Sequence, residues 1–201
     1  ILGDNSTNTL TGGAGGGGNG APGIHVPDDA ALIVQGGGSL TVTGGSSSTV
    51  YGGIGIGGAA EQVGSIQGKG EDCGTVIILS TGNVEVKGGS GSANSTADDI
   101  GGGEGYYHGG NGQGIRPSGN NTYTIWGSLT LPCDVTIPDG ATVAIPDYTG
   151  LTVPQDVTLT NNGTIVKDDF GSFINNGTVT GQQPDDDRYS IDYEFEMIKI
   201  N

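Results

Sequence analysis

Basic residues are nearly missing from this chain: 6 Lys and Arg stand against 22 Asp and Glu in 201 residues, a formal charge of -16. Nucleic-acid binding relies on clustered Lys and Arg to displace counterions, so duplex and single-stranded nucleic acid are excluded as general partners. The same shortage disfavours an anionic membrane surface. No run approaches the ~18 consecutive apolar residues of a membrane-spanning helix, and no membrane insertion is expected. Aromatic residues make up 5% and all hydrophobic residues 32%, too little for a thick globular core. Cys73 and Cys133 are the only cysteines. They would bridge if their turns stack side by side and otherwise stay free, so they identify no redox compartment. Neither a Met nor a charged-then-apolar leader precedes Ile1, and the expectation is a processed or excised part of a larger multidomain chain.

What the chain has in excess is glycine, 43 residues, about three times the usual share of ~7%. Collagen is excluded because glycine does not fall at every third position and proline is sparse. A disordered linker is excluded because apolar pairs recur on a lattice. Leu129, Val135, Val143, Leu151, Val157, Ile165, Phe173 and Val179 follow one another at steps of 6, 8, 8, 6, 8, 8 and 6, a cycle of 22 residues. Three short strands per cycle, each with alternate apolar positions, describe a coil stacked turn upon turn. Such a solenoid needs only a narrow apolar column.

The lattice reads back to Ile24. Ile24/Val26, Leu32/Val34 and Leu40/Val42 are spaced by 8, Ile54/Ile56 and Val76/Ile78 follow Leu32/Val34 at 22 and 22, and Val84/Val86 lies 44 beyond Leu40/Val42. The Gly/Ser-rich stretches 44–53, 57–74 and 87–122 read as corner loops bulging from a face. Ile56-Gly57-Gly58 and Ile100-Gly101-Gly102 suggest positive φ or close stacking at one corner. Pro132, Pro138, Pro146 and Pro154 each close a strand, and Asn161-Asn162-Gly163 and Asn175-Asn176-Gly177 mark turns whose asparagines could form an amide ladder. The expected fold is all-β: a parallel β-helix of triangular section, about 22 residues per coil, over residues 24–183. Residues 1–23 read as an irregular segment or cap. The segment Asn8–Gly15 within them looks like a calcium-binding nonapeptide without its ligating Asp. Residues 184–201 read as an acidic linker, Asp185-Asp186-Asp187, and a strand from Tyr189 to Met197 that caps the solenoid or begins another domain.

The phrases Gly23-Ile24-His25-Val26-Pro27-Asp28-Asp29-Ala30-Ala31-Leu32-Ile33-Val34, Gly38-Ser39-Leu40-Thr41-Val42-Thr43-Gly44-Gly45 and Cys73-Gly74-Thr75-Val76-Ile77-Ile78 resemble those of large Gly-rich surface proteins of gut Gram-positive bacteria, as does Leu129–Ile165. The resemblance covers roughly residues 21–181. It implies a right-handed parallel β-helix, secretion or display at the cell surface, and attachment or carbohydrate binding. It carries over no catalytic motif.

Tyr106, Tyr107 and Trp126 are the candidate carbohydrate-binding residues, because flat rings stack on the apolar C–H faces of sugars. Trp126 would present its ring outward if Tyr123 and Ile125 point in; the alternative is that these aromatics anchor a long loop. Asp28-Asp29, Asp98-Asp99 and Asp168-Asp169 are acidic pairs that serve either as solvated turns or as calcium ligands. Asp98, Asp99 and Glu104 form the candidate metal cluster, and Ca2+ is the one candidate cofactor. A polysaccharide lyase or glycoside hydrolase is the alternative function. It is disfavoured because Arg116 is the only basic residue between Lys87 and Lys167 and His25 and His108 lie far apart. Outward Thr pairs such as Thr41/Thr43 would suit ice or crystal binding, but Thr is also the usual solvent-face residue of strands. The expectation is a non-catalytic extracellular module with a polysaccharide or host glycan as partner and no catalytic residues. Any specific activity should lie between Lys87 and Trp126.

Overall fold

The computed structural model describes residues 1–60, 70–92, 97–103 and 110–184. Its first half lays down β1 (Thr7–Thr11), β2 (Ile24–His25), β3 (Ala31–Gly36), β4 (Ser39–Thr43), β5 (Ile56–Gly57), β6 (Thr75–Ser80), β7 (Val84–Lys87), β8 (Ile100–Gly101) and β9 (Gln113–Gly119). Every third strand pairs in parallel, giving the sets β1-β4-β7, β2-β5-β8 and β3-β6-β9. The second half follows the same rule with β10 (Thr122–Trp126), β11 (Ser128–Thr130), β12 (Val135–Ile137), β13 (Thr142–Ile145), β14 (Gly150–Val153), β15 (Thr158–Asn161), β16 (Thr164–Lys167), β17 (Ser172–Asn175) and β18 (Thr178–Gly181). This is an all-β molecule of parallel strands stacked in several sheets, compatible with a β-solenoid. Residues 1–23 contribute β1 and isolated bridges from Leu2 to Gly36 and from Gly15 to Ser47, so ordered pairing begins well before Ile24.

In the second half the 22-residue cycle is the register: Leu129 pairs with Leu151 and Leu151 with Phe173, and Val143 pairs with Ile165. Two faces depart from it: on one, Tyr123 pairs with Val143, a step of 20. On the other, Val135 pairs with Leu159, not Val157, and Leu159 with Val179. A slip of two residues keeps the same side chains inward, so the core tolerates it, and Val157 packs half-buried beside that core. The asparagines form no ladder, because Asn161 and Asn175 lie in different sheets. Each instead accepts the N–H two residues on, from Gly163 and Gly177, both at 3.1 Å.

The first half departs further. Leu32 pairs with Val76, Leu40 with Val84 and Ile56 with Ile100, each a step of 44, while β1–β4 and β2–β5 are separated by 32. Ile56 is therefore no equivalent of Leu32, and the 22-residue spacing there is half of a longer turn. The extra length goes into Gly-rich excursions that stack on one another rather than bulge freely. Main-chain bonds run Ala21 N to Gly13 O, Gly45 N to Ala21 O, Gly53 N to Gly45 O, Gly89 N to Gly53 O and Ala97 N to Gly89 O, at 2.7–3.0 Å. A Cβ at Gly45 or Gly53 would collide with the neighbouring carbonyl. This column explains the glycine excess: backbone fills the space that side chains fill elsewhere.

The halves meet in one six-stranded sheet, ordered β3-β6-β9-β10-β13-β16, where β9 and β10 form an antiparallel hairpin closed at Asn120-Asn121. Asn121 takes the left-handed backbone, φ 51°, which Asn tolerates. An uninterrupted parallel stack was expected, and this hairpin breaks it. Strand direction reverses there, and so does the buried face. Leu32, Val34, Val76, Ile78 and Trp126 belong to the first core, whereas Ile33, Ile77, Leu79, Ile115, Tyr123 and Ile125 belong to the second. All six residues of β6 are buried, because one core lies on each face, and its near-continuous apolar run Val76-Ile77-Ile78-Leu79 is the sequence sign of that position.

Candidate functional site

Beyond β7 and β8 two sheets of the first half end, while the third continues through β9 and β10. A cavity of about 600 Å3 opens at this step. Its apolar part comes from half-buried Val84, Val86 and Ile100, the end of the first core. Arg116 and Thr124 pair across β9 and β10 on the same face as Gly114 and Trp126, and they line the cavity from the continuing sheet. Asp98, Asp99 and Glu85 supply carboxylates.

The charges are partly tied down. Lys87 pairs with Glu85, and that hydrogen bond and charge, with Asp99 adding to them, push the ammonium pKa up. Asp99 Oδ1 accepts the Gly88 N–H at 2.9 Å, leaving Asp98 the more available of the pair. Among the described residues no group of three His, Cys, Asp or Glu is placed to hold a metal ion. Glu104, the third member of the expected cluster, lies outside the described residues. Asp28-Asp29 and Asp168-Asp169 are exposed and distant in the fold.

Tyr106 and Tyr107 also lie outside the described residues. Trp126 does project opposite Tyr123 and Ile125, but that face is not solvent: the indole packs half-buried against the first core, close to Gly112 and Gly114. Its Nε1 is buried without a hydrogen-bond partner. Tyr123 is buried, and its hydroxyl donates to Ser80 O at 2.6 Å. Cys73 and Cys133 are not bridged, the first buried and the second exposed. Burial, with the Glu71 charge adding to it, pushes the Cys73 thiol up to about 11, against a lowering hydrogen bond at Gly58. Nearby, Glu71 Oε2 meets His25 Nε2 at 2.7 Å and accepts the Ala59 N–H at 3.0 Å. Partial burial raises the Glu71 pKa, but the Ala59 and His25 hydrogen bonds and the His25 charge outweigh it and hold it below its ordinary value.

Sequence reasoning missed Tyr148 and Phe170, an exposed stacked pair of rings. Their separation of 22 residues is the sequence signal of the pair, since outward positions repeat on the same lattice as inward ones. It also missed β9, whose Gln-Gly-Ile-Arg-Pro-Ser-Gly has no apolar alternation, although Gly119-Asn120-Asn121 is a hairpin-turn phrase. Among the described residues no helix is long and apolar enough to cross a membrane. Comparison with known protein families, curated proteins and solved structures finds no match.

Proposed function

We propose that the chain is a non-catalytic module of a larger extracellular bacterial surface protein and that it binds polysaccharide or host glycan in the cleft beside β7 and β8. The observation that carries this reading is the cleft, whose volume of about 600 Å3 falls within the ~300–1,000 Å3 usual for ligand sites. A sugar ring offers C–H faces to Val84, Val86 and Ile100 and hydroxyls to Asp98 and Arg116. Tyr106 and Tyr107 precede β9 in the chain and join as platform residues in this reading. Ca2+ is the candidate cofactor, held by Asp98, Asp99 and Glu104. Both halves are right-handed β-helices of triangular section, in keeping with the right hand of ~98% of crossovers between parallel strands.

A glycan array run with calcium present and chelated tests the binding. Arg116→Ala and Asp98→Asn are the informative variants, because Trp126→Ala would also open the first core. The reading fails if the wild type binds no glycan, or if binding is unchanged in both variants.

The gathering of Glu85, Asp98 and Asp99 at one cleft favours a polysaccharide-degrading enzyme as second reading, since glycosidases need two carboxylates flanking the scissile bond. New reducing ends or unsaturated products after incubation with neutral and acidic polysaccharides would replace the non-catalytic reading.

A further inference from the structure

A second surface lies on the regular half, away from the cleft. The turn of residues 146–149 follows β13, and that of residues 168–171 follows β16. They are clipped together by two bonds: Tyr148 N–H to Phe170 O at 3.1 Å, and Phe170 N–H to Asp147 Oδ1 at 2.9 Å. Each turn is also closed on itself, by Thr149 N to Pro146 O at 3.1 Å and Gly171 N to Asp168 O at 3.0 Å. The Tyr148 and Phe170 rings stand parallel, at an interplanar angle of 0° and a centroid distance of 5.7 Å. That distance exceeds the ~3.5–4.0 Å of carbon–carbon contact, so the rings are offset like steps. They are 85% and 66% exposed.

Tyr148 carries two costs at once. Its ring is almost wholly in water, and its backbone is left-handed, φ 61°. The corresponding third positions of the turns at Pro138 and Pro154 hold Gly140, φ 70°, and Asp156, φ 64°, so the left-handed backbone belongs to this turn, and only at Tyr148 does it carry a ring. The exposed rings pack against each other and leave their remaining surface open to solvent.

We propose that Tyr148 and Phe170 form a rigid platform for the apolar face of a pyranose chain. Two rings supply far less than the ~800 Å2 per partner of a stable protein interface, which points to an occupant of sugar size. A quaternary ammonium prefers rings converging around it, whereas parallel rings offer one stepped face. Clipped turns present that face with little left to order on binding. This surface is separate from the cleft and stands if the cleft binds nothing.

The test titrates cellohexaose, xylohexaose and chitohexaose into the full chain, followed by tyrosine fluorescence and calorimetry. Tyr148→Gly removes the ring while relieving the backbone, so it keeps the fold, and Phe170→Ala alters an exposed position. Each should weaken binding of at least one hexaose about tenfold or more, and Tyr148→Trp should retain it. Four outcomes overturn the proposal: no hexaose binds, binding is unchanged in both ring variants, binding is lost only in Arg116→Ala, or tetramethylammonium binds in preference. Self-association abolished by Phe170→Ala would likewise replace the sugar with a second copy of the chain.

Discussion

The hydroxyl of Tyr123 reaches from the second half to Ser80 O in the shared strand β6, and Ser80 Oγ in turn donates to Gly36 O at 2.7 Å. Tyr123→Phe leaves that buried carbonyl without its donor, and a loss of about 1–2 kcal/mol is expected in urea denaturation. Alkali acts on the same region. Burial raises the pKa of Tyr123 and takes the Cys73 thiol from 9.0 to about 11. Both groups are neutral when folded, so their stabilisation is full below the unfolded values and is lost as pH rises through the folded ones. Denaturation midpoints should therefore fall between pH 9 and 11, and less steeply in Cys73→Ala. Glu71 works in the opposite sense: its lowered pKa contributes stability above 4.5, lost as pH falls through the folded value. Thiol labelling separates the cysteines, with Cys133 reacting at once and Cys73 only on unfolding; equal rates would contradict the buried position of Cys73.

Among elements, β6 and the glycine column respond to substitution most sharply. Ile77 is fully buried in the second core while Val76 and Ile78 face the first, so Ile77→Ala should cost about 3 kcal/mol, against little for exposed Val166→Ala. Gly53→Ala should be at least as damaging as Ile77→Ala, because the added methyl meets backbone that cannot move aside. The same contrast explains what was readable in the sequence. In the second half, turns are short and strands carry apolar pairs, so the register shows in the spacing, save for the two-residue slips at Val143 and Leu159. The column from Gly13 to Ala97 is built of main-chain bonds and leaves no side-chain pattern, so its stacked excursions read as loops and its turns as half their length. Trp126 was assigned its strand face correctly by alternation, but one strand cannot reveal that a second core occupies that face. The cleft was not foreseen, since it arises from two sheets ending while a third continues.

For the whole molecule, β6 is shared by both cores, so the two halves should unfold as one cooperative unit. Hydrogen exchange should show β6 amides opening only with global unfolding, and β1 and β18 opening earlier. Separate transitions for the two halves would show that the shared sheet does not couple them.

The unequal turns also matter under tension. A load applied along the stacking axis falls directly on the bonds between successive turns, which then peel one at a time. A freed 44-residue turn releases about 150 Å of chain and a 22-residue turn about 75 Å. Stretched, the molecule would lengthen in larger increments from the first half than from the second, so increment size reports which half has given way.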